Sequence, residues 1–590
     1  MSDLLKTEIV GLDEDVSSSE LYSDELAPVP ESGRTWNTWH LASIWVGMAV
    51  CIPTYLMASY MIRAGLSWFE ALIIISFANI IITVPMILNG HAGVKYGIPF
   101  PVLGRVSFGT RGIHLASILR AIVACGWFGV QTWIGGLAIY AIFIALTGGD
   151  AVAGFSIGKF TSFIVFWFIN IYFVWKGTES IKWLEQFSAP ILLLIGVFLI
   201  GWGVTKADGF AIVLDQSKQL QHPTAQLEES AGQLYLTLDP LTDKTGSSFK
   251  ADEYQLIASS DHELTDQNWL PIESNLRTNI SDFASAQEVH NGDKALSVVF
   301  RKLNGSSPTV SSNVTLALAD DGDTAVVEKI WVYVLWLTAM VGFWATMSLS
   351  IADITRFAKT QTSQVAGQFI GLPGTMILYS FVGIFVTCAA IINFDSILIG
   401  EDAPWDPVTL LSMFDSPVVV IVSQIFMLIA TLSTNIAANV IAPANAFSNL
   451  FPKKINFRTG GVITGLIGIV ICPWLWLDDI SSLLIFISGL LGPVLGIMLA
   501  DYFAVRKKHI HLTELYKEKG LYSYNGTGFN SSAMIAFAAG TGLALVGYWV
   551  EALSFLYSLS WFTGFILSFV LYYFLMKDKS LDPEPVAVNV

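Results

Sequence analysis

The densest group of polar side chains within an apolar run of this chain is IATLSTNIAANVIAPANAFSN, residues 429–449. On a helix, Ala430, Ser433 and Thr434 share one face, because their spacing is i, i+3, i+4. Two hydroxyls beside a backbone carbonyl offer the oxygen ligands that bind sodium in membrane proteins. The alternative use of the same groups is hydrogen bonding between helices.

Two further pairs suit a planar, hydrogen-bonding ligand. Trp127 and Gln131 are four residues apart, so a flat indole and an amide share one helix face. Asn435 and Asn439 form a stripe beside the hydroxyls and are predicted to hydrogen-bond a polar ligand. Packing against lipid or other helices is the alternative for both pairs.

Two helix breaks are predicted within apolar runs. Pro53 lacks an N–H, so the carbonyl of Ala49 loses its helical partner and is free to bind a hard cation. Gly342 and Trp344 lie in the middle of another run, where glycine permits unwinding. A simple kink and ordinary packing are the respective alternatives.

The composition indicates that a membrane positions these residues. Only 13% of the 590 residues are charged, against about 25% in soluble domains. Many apolar runs have the length of about 20 residues that crosses a bilayer. Twelve spans are predicted, at residues 40–62, 68–89, 113–145, 160–175, 187–204, 329–354, 367–393, 416–442, 460–477, 481–503, 532–551 and 555–576.

Loops that contain lysine and arginine alternate with loops that are nearly free of them, which predicts that both termini are cytoplasmic. Spans 1–5 and 6–10 begin on opposite sides, as an inverted repeat requires. A long insert between spans 5 and 6 alternates apolar and polar residues in QLYLTLD, ALSVVFRKL and SSNVTLAL, which predicts a β-rich extracytoplasmic domain, with a partly ordered loop as the alternative. The predicted organisation is a disordered tail (1–36), spans 1–5 (37–204), the insert (205–328), spans 6–10 (329–503), a cytoplasmic loop (504–531), spans 11–12 (532–576) and a C-terminal tail (577–590).

Several function classes are disfavoured. The net charge of −16 does not indicate a nucleic-acid partner. A phosphate-binding loop, a nucleophile elbow and a metal-ligand constellation are all missing from the sequence, so we do not expect an enzyme or an organic cofactor.

Several motifs together resemble the nucleobase–cation symporter-1 family, whose members carry purines, pyrimidines, allantoin and hydantoins. They are RTWNTWHLASIWVGMAVCIPTYLMAS, NGHAGVKYGIPFPVLGRVSFGTRG, LRAIVACGWFGVQTWIGG, GFWATMSLSIADITRFAK, GLPGTM, STNIAANVIAPANAFSNLFPKKINFRTGG and GPVLGIMLADYF. The resemblance runs from about residue 34 to 576, with the insert excluded. It implies an all-α, leucine-transporter-like fold of ten helices in two inverted repeats, plus two extra helices.

The resemblance also implies site residues. Trp127 and Trp344 correspond to aromatic walls on either side of a ring, and Gln131, Gly342 and Asn439 to contacts with its edge. Sodium would lie among five residues of two spans: Ala49, Ile52, Ala430, Ser433 and Thr434.

The predicted function is import of a nucleobase-like or hydantoin/allantoin-like ring by cation symport, with sodium favoured over protons. The alternatives are a proton-coupled uracil or cytosine permease, and a transporter-like receptor that senses a ligand through its insert. We expect a multi-pass protein of the inner or plasma membrane that contacts lipid and a small ring substrate. The sequence does not determine the oligomeric state and is compatible with a monomer.

Overall fold

The computed structural model describes residues 2–63, 66–149, 155–176, 178–206, 209–217, 323–393, 407–412, 416–475 and 480–579, together with short stretches between 225 and 316. The C-terminal tail beyond residue 579 and much of the predicted insert lie outside the described residues.

Helices dominate the described part of the chain. The principal ones are α1 (Thr38–Ala49), α2 (Ile52–Arg63), α3 (Trp68–Tyr96), α4 (Ile113–Thr147), α5 (Ile157–Lys176), α6 (Thr178–Lys206), α7 (Phe210–Ser217), α8 (Asp323–Phe343), α9 (Ala345–Ser350), α10 (Gln361–Asn393), α11 (Pro417–Asn439), α12 (Ile441–Leu450), α13 (Phe457–Val470), α14 (Ile480–Leu499), α15 (Ser531–Leu545) and α16 (Ser560–Met576). Shorter helices are Ser2–Leu5, Phe100–Leu103, Arg105–Phe108, Ala352–Thr355, Pro407–Ser412 and Ser554–Ser558.

The predicted spans coincide with apolar helical segments. Among the described residues, eight helices are long and apolar enough to cross a membrane, and two bent helix pairs raise this number to ten. Two shorter apolar helices, Leu193–Thr205 and Phe457–Val470, overlap predicted spans 5 and 9. The prediction of an all-α polytopic membrane protein is therefore confirmed. Span 9 was predicted too long, because its helix ends at Val470.

Both predicted helix breaks are present. The axes of α1 and α2 differ by 56° across Val50 and Cys51, just before Pro53. The second break lies at Trp344, which has φ −100° and ψ 4° between α8 and α9. Gly342 differs from the prediction, since it lies within α8 and permits close packing there. A Cβ at Gly342 would be 1.8 Å from the Ser488 hydroxyl on α14.

Helix packing brings the polar segments together. The long helix α4 packs against α11 and α5, while α11 also contacts α1 and α6. On the other side, α10 packs against α1 and α3. The α1–α2 break therefore lies between α10 and α11, which places its open backbone beside the polar face of α11.

The predicted insert contains two antiparallel sheets. The strands are β1 (Ala225–Ser230), β2 (Gln233–Leu238), β3 (Glu253–Ala258), β4 (Leu270–Pro271), β5 (Arg277–Asn279), β6 (Leu296–Lys302), β7 (Thr309–Val310) and β8 (Val314–Leu316). One sheet has the order β1-β2-β5, and the other has the order β4-β3-β6-β7 with β8 also paired to β6. Leu234 and Leu236 of β2 are buried, as the alternation predicted. The insert is helical at its ends, because α6 reaches Lys206 and α7 follows.

The N-terminal segment differs from the predicted disordered tail. Its polar side chains and carbonyls bond to basic and tyrosine side chains that follow the spans, so the segment packs on the helix ends. Four such contacts are Lys95 Nζ to Glu8 Oε2 (2.7 Å), Arg105 Nη2 to the Leu21 carbonyl (3.0 Å), Arg356 Nη1 to the Glu25 carbonyl (2.8 Å) and Tyr516 Oη to the Leu26 carbonyl (2.7 Å).

Candidate functional site

The hydroxyl face of α11 lies against the α1–α2 break. Thr434 Oγ1 donates a hydrogen bond to the Gly47 carbonyl at 3.0 Å. The Ala49 carbonyl has no helical partner, and the Cys51 N–H bonds to it at 3.0 Å in a tight turn. The Ala49 carbonyl therefore lacks its helical hydrogen bond, as predicted. Thr434 connects α11 to α1, the two elements that were expected to share a cation.

Ser433 is fully buried, and its Oγ lies 3.0 Å from Oγ of Ser188 on α6. Ala430 precedes Ser433 by one turn, and its side chain is also buried. The pattern of apolar residues did not single out Ser188, because an isolated serine in a span is ordinarily a packing residue.

The residues predicted to bind a cation offer groups that suit a monovalent hard cation. The prediction uses neutral oxygens, namely the hydroxyls of Ser433 and Thr434 and the backbone carbonyls of Ala49, Ile52 and Ala430. Groups of three or more His, Cys, Asp or Glu residues suited to a metal ion do not occur in the described stretches. Neutral oxygen ligands at a broken helix suit sodium better than a transition metal, which prefers nitrogen and sulfur.

Aromatic rings form a connected group at the second helix break. Trp127, which is half-buried, meets Phe343 edge-on with ring centroids 5.6 Å apart. Phe343 in turn meets Trp344 at 5.0 Å, and Trp344 meets Trp45 at 5.3 Å. The two predicted walls are thus joined through Phe343. Neither Phe343 nor Trp45 was predicted, since aromatic residues are frequent throughout the spans.

Two side-chain polar atoms of the predicted substrate-binding residues are buried without a hydrogen-bond partner in the part of the chain that the structure describes. They are Oε1 of Gln131 and Nε1 of Trp344. Gln131 is 2% exposed, and its side chain lies beside the Cys51 thiol at the α1–α2 break. Buried polar groups are normally paired, so an unpaired acceptor and an unpaired donor need an explanation.

The two asparagines have different surroundings. The Asn435 amide lies 3.3 Å from the Phe128 carbonyl, 3.1 Å from Thr132 Oγ1 and 3.0 Å from Asn170 Oδ1, so it connects α11 to α4 and α5. Asn439 donates to Oδ1 of Asn435 at 3.1 Å. The donors of Asn435 are therefore used in helix packing.

A buried arginine lies nearer to the start of α4 than this group, and the sequence patterns did not identify it. Arg120 precedes Trp127 by two turns on α4 and is 1% exposed. Its Nε donates to the Thr346 carbonyl at 2.8 Å, and its Nη2 to the Ala438 carbonyl at 3.3 Å. Arg120 thereby links α4 to both α9 and α11 beneath the site.

Comparison with known proteins identifies the family to which the chain is similar. The family of permeases for cytosine/purines, uracil, thiamine and allantoin matches residues 28–230 and 296–568. The match includes both ends of the predicted insert, so the expectation that all of 205–328 lies outside the family pattern was wrong. Within the insert, residues 231–295 are the unmatched part.

Two relatives and one solved structure extend the comparison. The allantoin permease of Bacillus subtilis (strain 168) is 32% identical over 570 residues, covering 95% of this chain and 94% of that protein. The purine-uracil permease NCS1 of Arabidopsis thaliana is 32% identical over 588 residues, covering 96% and 80%. A structure of Mhp1, a nucleobase-cation-symport-1 family transporter in a closed conformation with bromovinylhydantoin bound, has a TM-score of 0.65 at 22% identity, covering 96% and 98%.

The fold of Mhp1 agrees with the predicted transporter architecture, and these relatives are permeases rather than enzymes. The chain belongs to the nucleobase–cation symporter-1 family of membrane transporters.

Proposed function

We propose that this transporter imports a hydantoin-, allantoin- or nucleobase-like ring together with sodium, by alternating access. The observation that carries the proposal is a pair of unpartnered buried atoms, Gln131 Oε1 and Trp344 Nε1. Gln131 is one helical turn from the half-buried Trp127, and the ring of Trp344 is joined to that of Trp127 through Phe343. A ureide edge presents an N–H donor and a carbonyl acceptor side by side. Gln131 would accept from the N–H, and Trp344 would donate to the carbonyl.

In this proposal Trp127 stacks on the ring, which contributes about 0.5–1.5 kcal/mol beyond burial. Asn439 contacts the polar edge, and Asn435 orients Asn439 through its Oδ1. Gly342 lets α8 approach α14 closely, and so positions the Phe343–Trp344 corner of the site. A ring that lacks the matching N–H or carbonyl would leave a buried polar atom unpaired, at about 1–3 kcal/mol each.

Sodium coupling is supported by the neutral oxygens at the α1–α2 break and by the Thr434–Gly47 hydrogen bond. A cation held there would bind to both α1–α2 and α11. The same break carries Cys51, which lies beside Gln131, so ordering the break would also order the substrate site. By linkage, substrate would then raise sodium affinity by the factor by which sodium raises substrate affinity.

Orientation in the membrane is part of the proposal. Basic residues cluster in every second loop between the spans, which places them at one end of the helix bundle. Among them are Lys95, Arg105, Arg356, Lys453 and Arg506. The packed N-terminal segment lies at this same end, since it contacts Lys95, Arg105 and Arg356. The distribution of positive charge supports a cytoplasmic location for this end and for both termini.

The experiment is a fluorescence titration of purified protein with allantoin, benzyl-hydantoin, uracil and cytosine, each with and without sodium. We expect one ring to quench tryptophan emission, with tighter binding in sodium and loss of the signal in Trp127→Ala. Trp133→Phe is the control, since Trp133 packs against Trp474 and Phe163 away from Phe343. Quenching that survives Trp127→Ala would contradict the proposed site.

Coupling is tested by uptake into proteoliposomes. Replacing sodium by choline should abolish concentrative uptake of the ring that binds. Uptake that is unchanged in choline and follows a pH gradient would replace sodium by the proton in this proposal.

A further inference from the structure

We propose that Ser188 of α6 is an additional hydroxyl ligand of the sodium site, so that the bound cation holds α6 against α11. This inference rests on the proposed sodium symport. It adds a third helical element to a site that the sequence assigned to only two spans.

The geometry brings the Ser188 hydroxyl of α6 beside the Ser433 hydroxyl of α11. Ser188 is 1% exposed, and its Oγ lies 3.0 Å from Oγ of Ser433. Thr434 follows Ser433 in α11 and bonds to the Gly47 carbonyl of α1. The helix α6 itself packs against both α1 and α11. Ser188 therefore lies where these three helices meet, next to an oxygen already assigned to the cation.

Ser188 lies at the same level as Ser433, because the two hydroxyl oxygens are 3.0 Å apart. A cation bound to the Ser433 hydroxyl would therefore be within reach of the Ser188 hydroxyl.

The chemistry allows Ser188 and Ser433 to bind one cation together. A hydroxyl oxygen can take part in a hydrogen bond and still coordinate a cation through a lone pair, so the Ser188–Ser433 contact is compatible with both hydroxyls being ligands. The other use of such a pair is a hydrogen bond that simply holds two helices together. A simple helix contact would stabilise the protein equally with and without sodium, whereas a ligand would stabilise it only when sodium is bound.

A mechanical consequence follows for transport. When the cation leaves, α6 loses its ion-mediated contact with α11, while the serine–serine hydrogen bond and the packing of the two helices remain. Movement of α6 relative to α11 is then linked to sodium occupancy, because a ligand shifts a conformational equilibrium only through contacts that differ between the two states.

The experiment measures the thermal stability of purified full-length protein over a sodium series, with no substrate present, and sodium-dependent uptake in proteoliposomes. The variants are Ser188→Ala, Ser188→Cys and Ser188→Thr. Cysteine preserves size but replaces oxygen by sulfur, a poor ligand for a hard cation. Threonine retains the hydroxyl. Thr431→Val is the matched control, since the buried Thr431 hydroxyl bonds to the Met427 carbonyl of its own helix.

We expect Ser188→Ala and Ser188→Cys to weaken apparent sodium affinity by at least about tenfold in both measurements. The KM for the ring at saturating sodium should stay within about twofold. Ser188→Thr and Thr431→Val should resemble the wild type. Ser433→Ala, measured in parallel, should lose sodium affinity because it removes a ligand of the proposed site.

Two outcomes would overturn the inference, and they differ in whether the proposed sodium symport also fails. If Ser188→Ala lowers Tm equally at every sodium concentration while Ser433→Ala loses sodium affinity, Ser188 is only a helix contact and the proposed symport stands. If the wild type itself shows neither sodium-dependent stabilisation nor sodium-dependent uptake, the proposed sodium coupling and this inference both fail.

Discussion

Asn439 donates a hydrogen bond to Oδ1 of Asn435 at 3.1 Å, within one helical turn. The Asn435 amide in turn lies 3.0 Å from Oδ1 of Asn170 on α5. A chain of amides therefore runs from the neighbouring helix to the candidate substrate site. Asn435 is the side chain closer to α5 and contributes to helix packing. Its Oδ1 also fixes the orientation of the Asn439 side chain.

This chain predicts that Asn435→Ala affects stability as well as binding. The change leaves buried groups of Asn170 and Asn439 without their partner, so the free energy of unfolding should fall by about 1–2 kcal/mol. Thermal denaturation measures the stability loss, and a ligand titration measures the weaker binding. Asn79→Ala is the control, because the buried Asn79 amide donates to the Ile75 carbonyl of its own helix. Wild-type stability and affinity in Asn435→Ala would contradict this role.

Gln131 should determine which rings bind. In Gln131→Leu the acceptor is gone, so affinity for the best ring should fall by about 5- to 150-fold, which corresponds to 1–3 kcal/mol. The loss should be smaller for an N-methylated analogue of the same ring, which has no N–H to donate to Gln131. Titration of both compounds against both proteins forms a double-mutant cycle. Equal losses of affinity for the two compounds would show that Gln131 does not contact the N–H of the ring.

Thr434 should affect sodium dependence more than ring recognition. Thr434→Ala together with Ser433→Ala removes two hydroxyls of the proposed cation site and the bond to the Gly47 carbonyl. The sodium concentration for half-maximal uptake should rise at least about tenfold, while Thr434→Ser should remain near the wild type. The measurement is initial uptake rate against sodium concentration. A normal sodium response in the double variant would contradict the assigned cation site.

Arg105 should stabilise the packed N-terminal segment. It is fully buried, and its guanidinium donates to Asn449 Oδ1 and to the Leu515 and Leu21 carbonyls. Arg105→Lys replaces this fork by one ammonium, which cannot reach all three acceptors. We expect a loss of about 2–3 kcal/mol in the free energy of unfolding.

Exposed Arg111 provides the matched control for that prediction, because Arg111→Lys should change stability by less than about 0.5 kcal/mol. Limited proteolysis adds a second measurement, since cleavage within residues 4–29 should become faster in Arg105→Lys only. Equal cleavage rates in the two variants would show that Arg105 does not hold the segment.

Local rules explain what could be predicted from the chain alone. The length of the apolar runs determined the spans, because a helix must cover the bilayer thickness. Pro53 determined the first break through its missing N–H. The i, i+3, i+4 spacing put Ala430, Ser433 and Thr434 on one face, and period-two alternation identified β2 and β6 in the insert.

Only the tertiary structure decided which distant groups meet. Ser188 and Ser433 are 245 residues apart, and no periodicity links them. The same holds for Trp127 with Phe343, and for Arg105 with Leu21 of a segment whose polar composition predicted disorder. Local composition indicates whether a residue can be buried. The residue that it contacts depends on how whole helices pack. The spans and the broken helices were therefore readable from sequence, and the convergence of α1, α6 and α11 at one cluster of hydroxyls was not.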